Sequence, residues 1–334
     1  MHGNYVILML AWSDLKNKII ISIVFGMAIV AVLVMSADLP RTVAALQGFA
    51  WRYLPLVLGL TLVNYALRFV KWHYYLAQID AGHVSLRDSL KIFVAGFTMV
   101  MTPGKVGELY KAWALKETNG VAISRAAPIV LAERITDGLA MVVLASAGLL
   151  LYRFGAAVLL AVVLTMGGFV VVVRIRPLAL WLLRQGERIP IISRFANSLR
   201  ESYESAYRLL GAKNLLFAVG LGVISWAAEG VALFLVLLGL GFVATPALLI
   251  QAVSALALST ILGAITFLPG GLGIVDGSLA GLLLLLTGTG AETAVAATLI
   301  IRLATLWFGV ALGISTLVAF RRQLLPASTP YAST

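Results

Sequence analysis

Cysteine is absent from this 334-residue chain, which excludes disulfides and thiolate metal sites and says nothing of redox compartment. Histidine is almost absent. His2, His73 and His83 all fall near expected membrane edges, and no His/Asp/Glu cluster has metal-ligand spacing. No metal and no cofactor is expected. Charge is scarce at 12% of residues, and acids are scarcer than bases, 14 Asp+Glu against 25 Lys+Arg. A net charge of +11 suggests nucleic acid. Its placement in short segments between apolar runs is better explained by the positive-inside rule, so no nucleic-acid partner is expected. The phosphate-binding pattern G-x-x-x-x-G-K-[ST] is missing. Pro103-Gly104-Lys105-Val106 has neither the loop spacing nor the Ser/Thr, so this chain is not expected to hydrolyse ATP. The start also lacks a basic n-region with a small-residue cleavage site. Residues 19–37 therefore read as a retained first span and not a signal peptide.

What is present is apolar sequence, 61% hydrophobic with a mean hydropathy of +1.01. Several runs approach the ~20 residues needed to cross a bilayer. They are continuous and not alternating, which argues against a β-barrel. The fold class expected is an all-α polytopic membrane protein, a single membrane domain over 1–334. Spans are expected at 19–37, 53–76, 125–152, 155–173, 215–238 and 291–318. Two further stretches are broken: 88–102 with 106–118, and 247–268 with 272–287. Each reads as a re-entrant or broken hairpin. Between the halves, 19–173 and 215–318, lies a basic amphipathic linker at 174–213, and a short tail follows at 319–334. In the linker Ile192, Phe195, Leu199, Tyr203, Ala206 and Leu210 recur at helical spacing, which predicts an interfacial helix. Its arginines either recruit anionic lipid or merely hold a linker on the membrane surface.

The hairpins carry a repeated motif. Pro103-Gly104-Lys105-Val106-Gly107-Glu108 and Pro269-Gly270-Gly271-Leu272-Gly273-Ile274-Val275-Asp276 each break an apolar run and end on a carboxylate. Further along from each stands an arginine in apolar sequence, Arg134 and Arg302. Broken helices at corresponding places in two halves mark the binding site of many carriers. Charges there are expensive in lipid and are functional candidates. Lys16, Lys18, Arg87, Lys91, Lys111, Lys116, the linker arginines, Arg321 and Arg322 all fall on one side if both termini are cytoplasmic. The odd number of crossings between the hairpins then makes them enter from opposite faces, as an inverted repeat.

After Pro103 the helix restarts. Its free N–H groups with Gly104, Gly107 and Lys105 form a candidate phosphate site, and Glu108 caps the dipole, pairs with Lys105 or meets a cationic headgroup. A structural ion pair is the plainer reading of Lys105 and Glu108. Gly270, Gly271 and Gly273 serve the second break, or packing alone. Gly277 and Gly281 have a spacing that allows close helix contact. Glu133 and Asp137 share a helix face, with Arg134 to one side. Arg302 needs a partner, with Asp276 and Glu108 the leading choices. Lys71 is expected to snorkel, whereas Arg68 lies deeper. Glu229 is the least paired acid and a candidate for proton coupling. The candidate substrate-binding set is Arg68, Gly104, Lys105, Gly107, Glu108, Glu133, Arg134, Asp137, Gly270, Gly271, Asp276 and Arg302.

At the 103–108 and 269–276 motifs, Glu133-Arg134-Ile135-Thr136-Asp137 and Arg302, the chain resembles the transmembrane, flippase-type domain of the lysylphosphatidylglycerol synthases, over about 15–320. The resemblance includes stand-alone relatives. It implies movement of a lipid between leaflets, typically an aminoacylated phosphatidylglycerol. Asp276 stands where the family pattern leads one to expect glutamate. After Arg322 only a Pro/Ser/Thr tail follows, so a soluble aminoacyl-transferase domain is not expected, and the chain is not expected to make that lipid alone. The expected function is a lipid transporter, flippase or scramblase, for a phosphate-bearing lipid of the inner membrane. A translocase of polyprenyl phosphate or a glycosylated polyprenyl lipid is the alternative within transport. A lipid-modifying enzyme, or a non-catalytic subunit of a separate lipid synthase, is the alternative outside it. Membrane lipids, and a separate lipid-synthesising enzyme, are the expected partners.

Overall fold

Proline and glycine set most of the boundaries in the computed structural model, which describes residues 38–101, 107–152, 156–188, 193–266 and 268–324. The span expected at 19–37 and the Pro103–Val106 part of the first break lie outside the described residues. All regular structure among the described residues is helical. Helix α1 (Leu39–Gln47) was not foreseen; it starts on Asp38, which accepts from the Arg41 backbone N–H, and has proline in its first turn. A 3-10 turn at Trp51–Tyr53 leads into α2 (Leu54–Gln78). Helix α3 (Leu86–Ala95) is capped by Ser85 and tightens into a 3-10 segment, Gly96–Met101. Helix α4 (Tyr110–Asn119) ends on Gly120. Helices α5 (Ile123–Tyr152) and α6 (Ala156–Arg174) follow.

Among its described residues the linker holds two helices, α7 (Arg176–Gly186) and α8 (Ala196–Leu209), where a single amphipathic helix was expected. Gly186 is the last residue of α7. Beyond it come α9 (Ala212–Gly239) and α10 (Pro246–Ile265), the latter with Thr245 as N-cap and proline at its start. A 3-10 turn at Pro269–Gly271 precedes α11 (Ile274–Thr287). The last long stretch runs as α12 (Ala291–Arg302), a π-helical turn at Leu303–Trp307 and α13 (Phe308–Ala319), followed by the short α14 (Arg321–Leu324).

Among the described residues, five stretches are long and apolar enough to cross a membrane: 51–78, 157–174, 212–239, 246–265 and 291–319. The two hairpins are therefore unequal. The arms of the first, α3 and α4, have 10 residues each, whereas α10 in the second has 20, a full span's length. Helix α5, at 30 residues, is longer still but carries Glu133, Arg134 and Asp137.

Two ends of the bundle are defined by contacts. At one, Arg208 pairs with Asp80, Arg125 with Glu201 and Arg176 with Glu204, and Lys91 donates to Gln323 at 3.0 Å. His83 lies 3.2 Å from the Asn119 carbonyl there, which places the mouth of the first hairpin at this basic end. At the other, the Ala50 N–H donates to the Gly239 carbonyl at 2.8 Å, and Gln251 donates to the Leu286 carbonyl at 2.7 Å. The mouth of the second hairpin lies at that end. Between the ends α2 and α9 pack along their lengths, locked by Asn64 donating to the Ser225 carbonyl (2.9 Å) and Ser225 returning a bond to the Asn64 carbonyl (3.1 Å). The interior of both hairpins meets: the Gly96–Met101 segment touches the Pro269–Gly271 turn. Helix α13 closes over the first of these, and a Cβ at Gly313 would stand 2.7 Å from the Thr98 backbone nitrogen.

Candidate functional site

The second break is built by left-handed backbone. Gly270, Gly271 and Gly273 have φ of 58°, 65° and 83°, a region that other residues enter only under strain. Their first role is thus conformational, and Gly271 is also tightly packed, since a Cβ there would stand 2.5 Å from Val275 Cγ2. Gly277 and Gly281 do not pack as their spacing suggested: a Cβ at either would meet nothing within 4 Å, because that face of α11 is open. Asp276 sits in the first turn of α11, where its Oδ2 accepts from the Gly273 N–H at 2.8 Å. The other oxygen accepts from Arg302 Nε at 2.6 Å, and Arg302 Nη2 donates to the Gly270 carbonyl at 2.9 Å. Arg302 thus clamps both sides of the break, on the partner expected of it. The positive end of α11 is filled by its own carboxylate and is not an open anion site.

At the first break Gly107 and Glu108 are described, while Gly104 and Lys105 fall outside the described residues. Glu108 lies 3.2 Å from Arg134 Nε on α5. Its partner in the structure is therefore an arginine of another helix. The same stretch of α5 supplies two more pairs. Glu133 accepts from Lys111 at 2.5 Å, and Asp137 accepts from Lys71, with Thr136 Oγ1 3.5 Å from the same ammonium. Lys111 also lies over the rings of Trp72 (4.4 Å) and Phe93 (5.7 Å), a placement that a buried cation favours. Gly96 leaves room for its stem, since a Cβ there would be 3.0 Å from Lys111 Cγ.

Two expectations are corrected here. Lys71 does not snorkel: its side chain is 1% exposed and paired. Lys111 is not a surface charge at the hairpin's exit but a buried partner of Glu133, 8% exposed. Both were missed for one reason. A lysine near a helix end reads as a surface residue unless its carboxylate on another helix is known. The available signal was the phase of Lys71, one turn from Arg68 on α2, together with acids on one face of α5.

Arg68 and Glu229 are the remaining interior charges. Neither forms an ion pair within 4 Å among the described residues. Arg68 lies over the Trp226 ring at 5.2 Å. Glu229 is buried beside the Thr305 hydroxyl and feels the charges of Arg68 and Arg302. Tyr65 donates to the Thr305 carbonyl, in the π-helical turn that directly follows Arg302. The described interior thus sets Arg68, Lys71, Lys111, Arg134 and Arg302 against Glu108, Glu133, Asp137, Glu229 and Asp276, a neutral balance. Neutrality matters because an unpaired buried charge costs several kcal/mol (roughly 3–5 when one partner is removed). The two described cavities lie elsewhere, at the basic end, and neither is lined by any of these charges.

Long apolar helices joined by buried cross-helix ion pairs define a polytopic helical membrane protein. Its family follows from the sequence match. Residues 19–313 match the family described as "Lysylphosphatidylglycerol synthase TM region", and the chain belongs to that family. Among curated proteins it is similar to a UPF0104 membrane protein of Pyrococcus horikoshii, 26% identical over 337 residues, covering 92% of this chain and 98% of the relative. A UPF0104 membrane protein of Methanothermobacter thermautotrophicus is 25% identical over 330 residues, covering 92% and 96%.

Proposed function

We propose that this protein moves a phosphate-bearing lipid between the leaflets of the cytoplasmic membrane, without catalysing a covalent reaction. The observation that carries the reading is the contact of the Gly96–Met101 segment with the Pro269–Gly271 turn in the bundle interior, with the carboxylates that end the two motifs each held by an arginine of another helix, Glu108 by Arg134 and Asp276 by Arg302. In this mechanism the lipid phosphate competes with carboxylates for the interior cations. Arg68, held by no ion pair within 4 Å among the described residues, is the first contact. Arg134 and Arg302 exchange Glu108 and Asp276 for the phosphate as the halves rock. Lys105 adds positive charge beside Glu108 in the chain. Glu229, which feels the charges of Arg68 and Arg302, takes a proton when both arginines turn to the lipid. The acyl chains stay in the bilayer.

The mouths of the hairpins at opposite ends of the bundle support reading the halves as an inverted repeat, with the basic end cytoplasmic. A separate synthase that supplies the lipid is the partner this reading calls for.

The test is reconstitution into liposomes with labelled aminoacylated, zwitterionic and polyprenyl-phosphate lipids. Lys105→Ala should slow every phosphate lipid. Glu108→Gln should slow an amine-bearing lipid far more than one with an uncharged headgroup. Equal damage to both would point to the polyprenyl alternative. Wild-type rates from both variants on every lipid would overturn the phosphate-site mechanism. Covalent change in any lipid would favour the enzyme alternative.

A further inference from the structure

We propose that Tyr65 is a positioning residue for Arg302: it holds the last span in the register that aims this arginine at the second break, and lets go when lipid engages Arg68. The release rests on the transport reading; the positioning does not. Between α12 and α13 the ladder of helical bonds is interrupted. The Phe308 N–H donates to the Leu303 carbonyl, five residues back, which makes the π turn. A regular α-helix would bond the Gly309 N–H to the Thr305 carbonyl. The Tyr65 hydroxyl stands in that bond instead. It donates to the Thr305 carbonyl and is hydrogen-bonded by the Gly309 backbone. Position 309 must be glycine for this, since a Cβ there would stand 2.5 Å from the hydroxyl oxygen. A side chain inserted into the ladder is a recognised cause of helix irregularity.

The place of the insertion gives it a consequence. Arg302 is the last residue of α12, directly before the turn, and it holds Asp276 at 2.6 Å and the Gly270 carbonyl at 2.9 Å. An α-helix turns by about 100° and rises about 1.5 Å per residue. Were the turn to close into α-helix by one residue of register, Arg302 would swing by about that angle and lose both contacts. The contact also joins the two halves of the chain. Tyr65 lies on α2, one turn before Arg68 and on the same face, whereas Thr305 and Gly309 belong to the last span. A phosphate that draws Arg68 out of its place over Trp226 therefore moves Tyr65 with it. Engagement at Arg68 thus frees Arg302 to leave Asp276 for the lipid.

The test compares the wild-type chain with Tyr65→Phe, Gly309→Ala and the two combined. Phenylalanine keeps the ring contacts with Phe97 (4.6 Å) and Phe308 (6.4 Å) and removes the hydroxyl alone. The first readout is hydrogen exchange in detergent, which needs no transport. The Gly273 N–H bonds Asp276, and Arg302 fixes Asp276, so exchange there reports the clamp. Tyr65→Phe should speed it by roughly threefold to tenfold, the equivalent of about one hydrogen bond. The second readout is lipid movement in liposomes, which the same variant should slow. The double variant should be no worse than either single one, because both act through one contact. Additive losses would mean that the two residues merely pack, and would overturn the proposal. Unchanged exchange at Gly273 in Tyr65→Phe would overturn it as well. Faster exchange with wild-type lipid movement would overturn the release step. A wild-type chain that moves no lipid would end the transport reading and leave the positioning to the exchange result. Should Gly309→Ala misfold, Tyr65→Phe alone decides.

Discussion

Individual side chains in the interior divide by whether they have a partner. Lys71 and Asp137 satisfy each other at almost complete burial. Lys71→Met should therefore cost about 3–5 kcal/mol, measured as denaturant unfolding in detergent, because Asp137 would be left buried and unpaired. Lys71→Met with Asp137→Leu should recover most of that loss, since an apolar pair needs no compensation. Arg68 behaves oppositely. With its guanidinium lying over the Trp226 ring, Arg68→Ala should cost only about 0.5–2 kcal/mol in stability yet should abolish lipid movement. Flipping rates and unfolding free energies of the same preparations separate the two outcomes. Unfolding of the Arg68 variant as severe as that of Lys71→Met would make Arg68 a structural residue.

Elements are governed by their ends and breaks. The second break depends on glycine for its backbone. Gly271→Ala and Gly273→Ala should each destabilise by about 1–2 kcal/mol, while Gly277→Ala, helical and facing open space, should be neutral or mildly stabilising. Thermal unfolding of the three variants checks this. The two helices of the linker are joined by a pH-sensitive clasp. The hydrogen-bonded Arg200 guanidinium holds the Glu187 carboxyl below its ordinary range. A group whose folded pKa is depressed contributes stability above its unfolded pKa and loses it as pH falls through the folded value. The α7–α8 clasp should accordingly hold at neutral pH and open only in acid, below the usual glutamate range. Hydrogen exchange of 183–188 against pH reports it. Glu187→Gln should remove the pH dependence.

At the scale of the molecule, the absence of cysteine makes topology directly measurable. Glu117→Cys, at the mouth of the first hairpin, and Val243→Cys, before the second, are exposed positions in a chain with 0 cysteines. A membrane-impermeant thiol reagent applied to sealed vesicles of one orientation should label one and spare the other. Labelling of both from the same side would end the inverted-repeat reading. The same architecture explains why the interior holds so many charges. The breaks leave backbone groups unpaired inside the bundle, and Arg302 answers one of them by donating to Gly270 while it neutralises Asp276.

The sequence alone determined the membrane class, the position of the second break and most of the described helix bounds, because continuous apolar length and Pro/Gly punctuation are local properties. It also named Arg134, Arg302, Asp276 and Glu108 as residues that need partners, since charge within apolar sequence is legible without coordinates. Which acid meets which base was decided only by tertiary structure. The pairs Lys71–Asp137 and Lys111–Glu133 join residues on different helices, and only the packing of α2 and α4 against α5 turns two lysines inward. Burial is a property of neighbours, and a lysine's sequence context does not contain them.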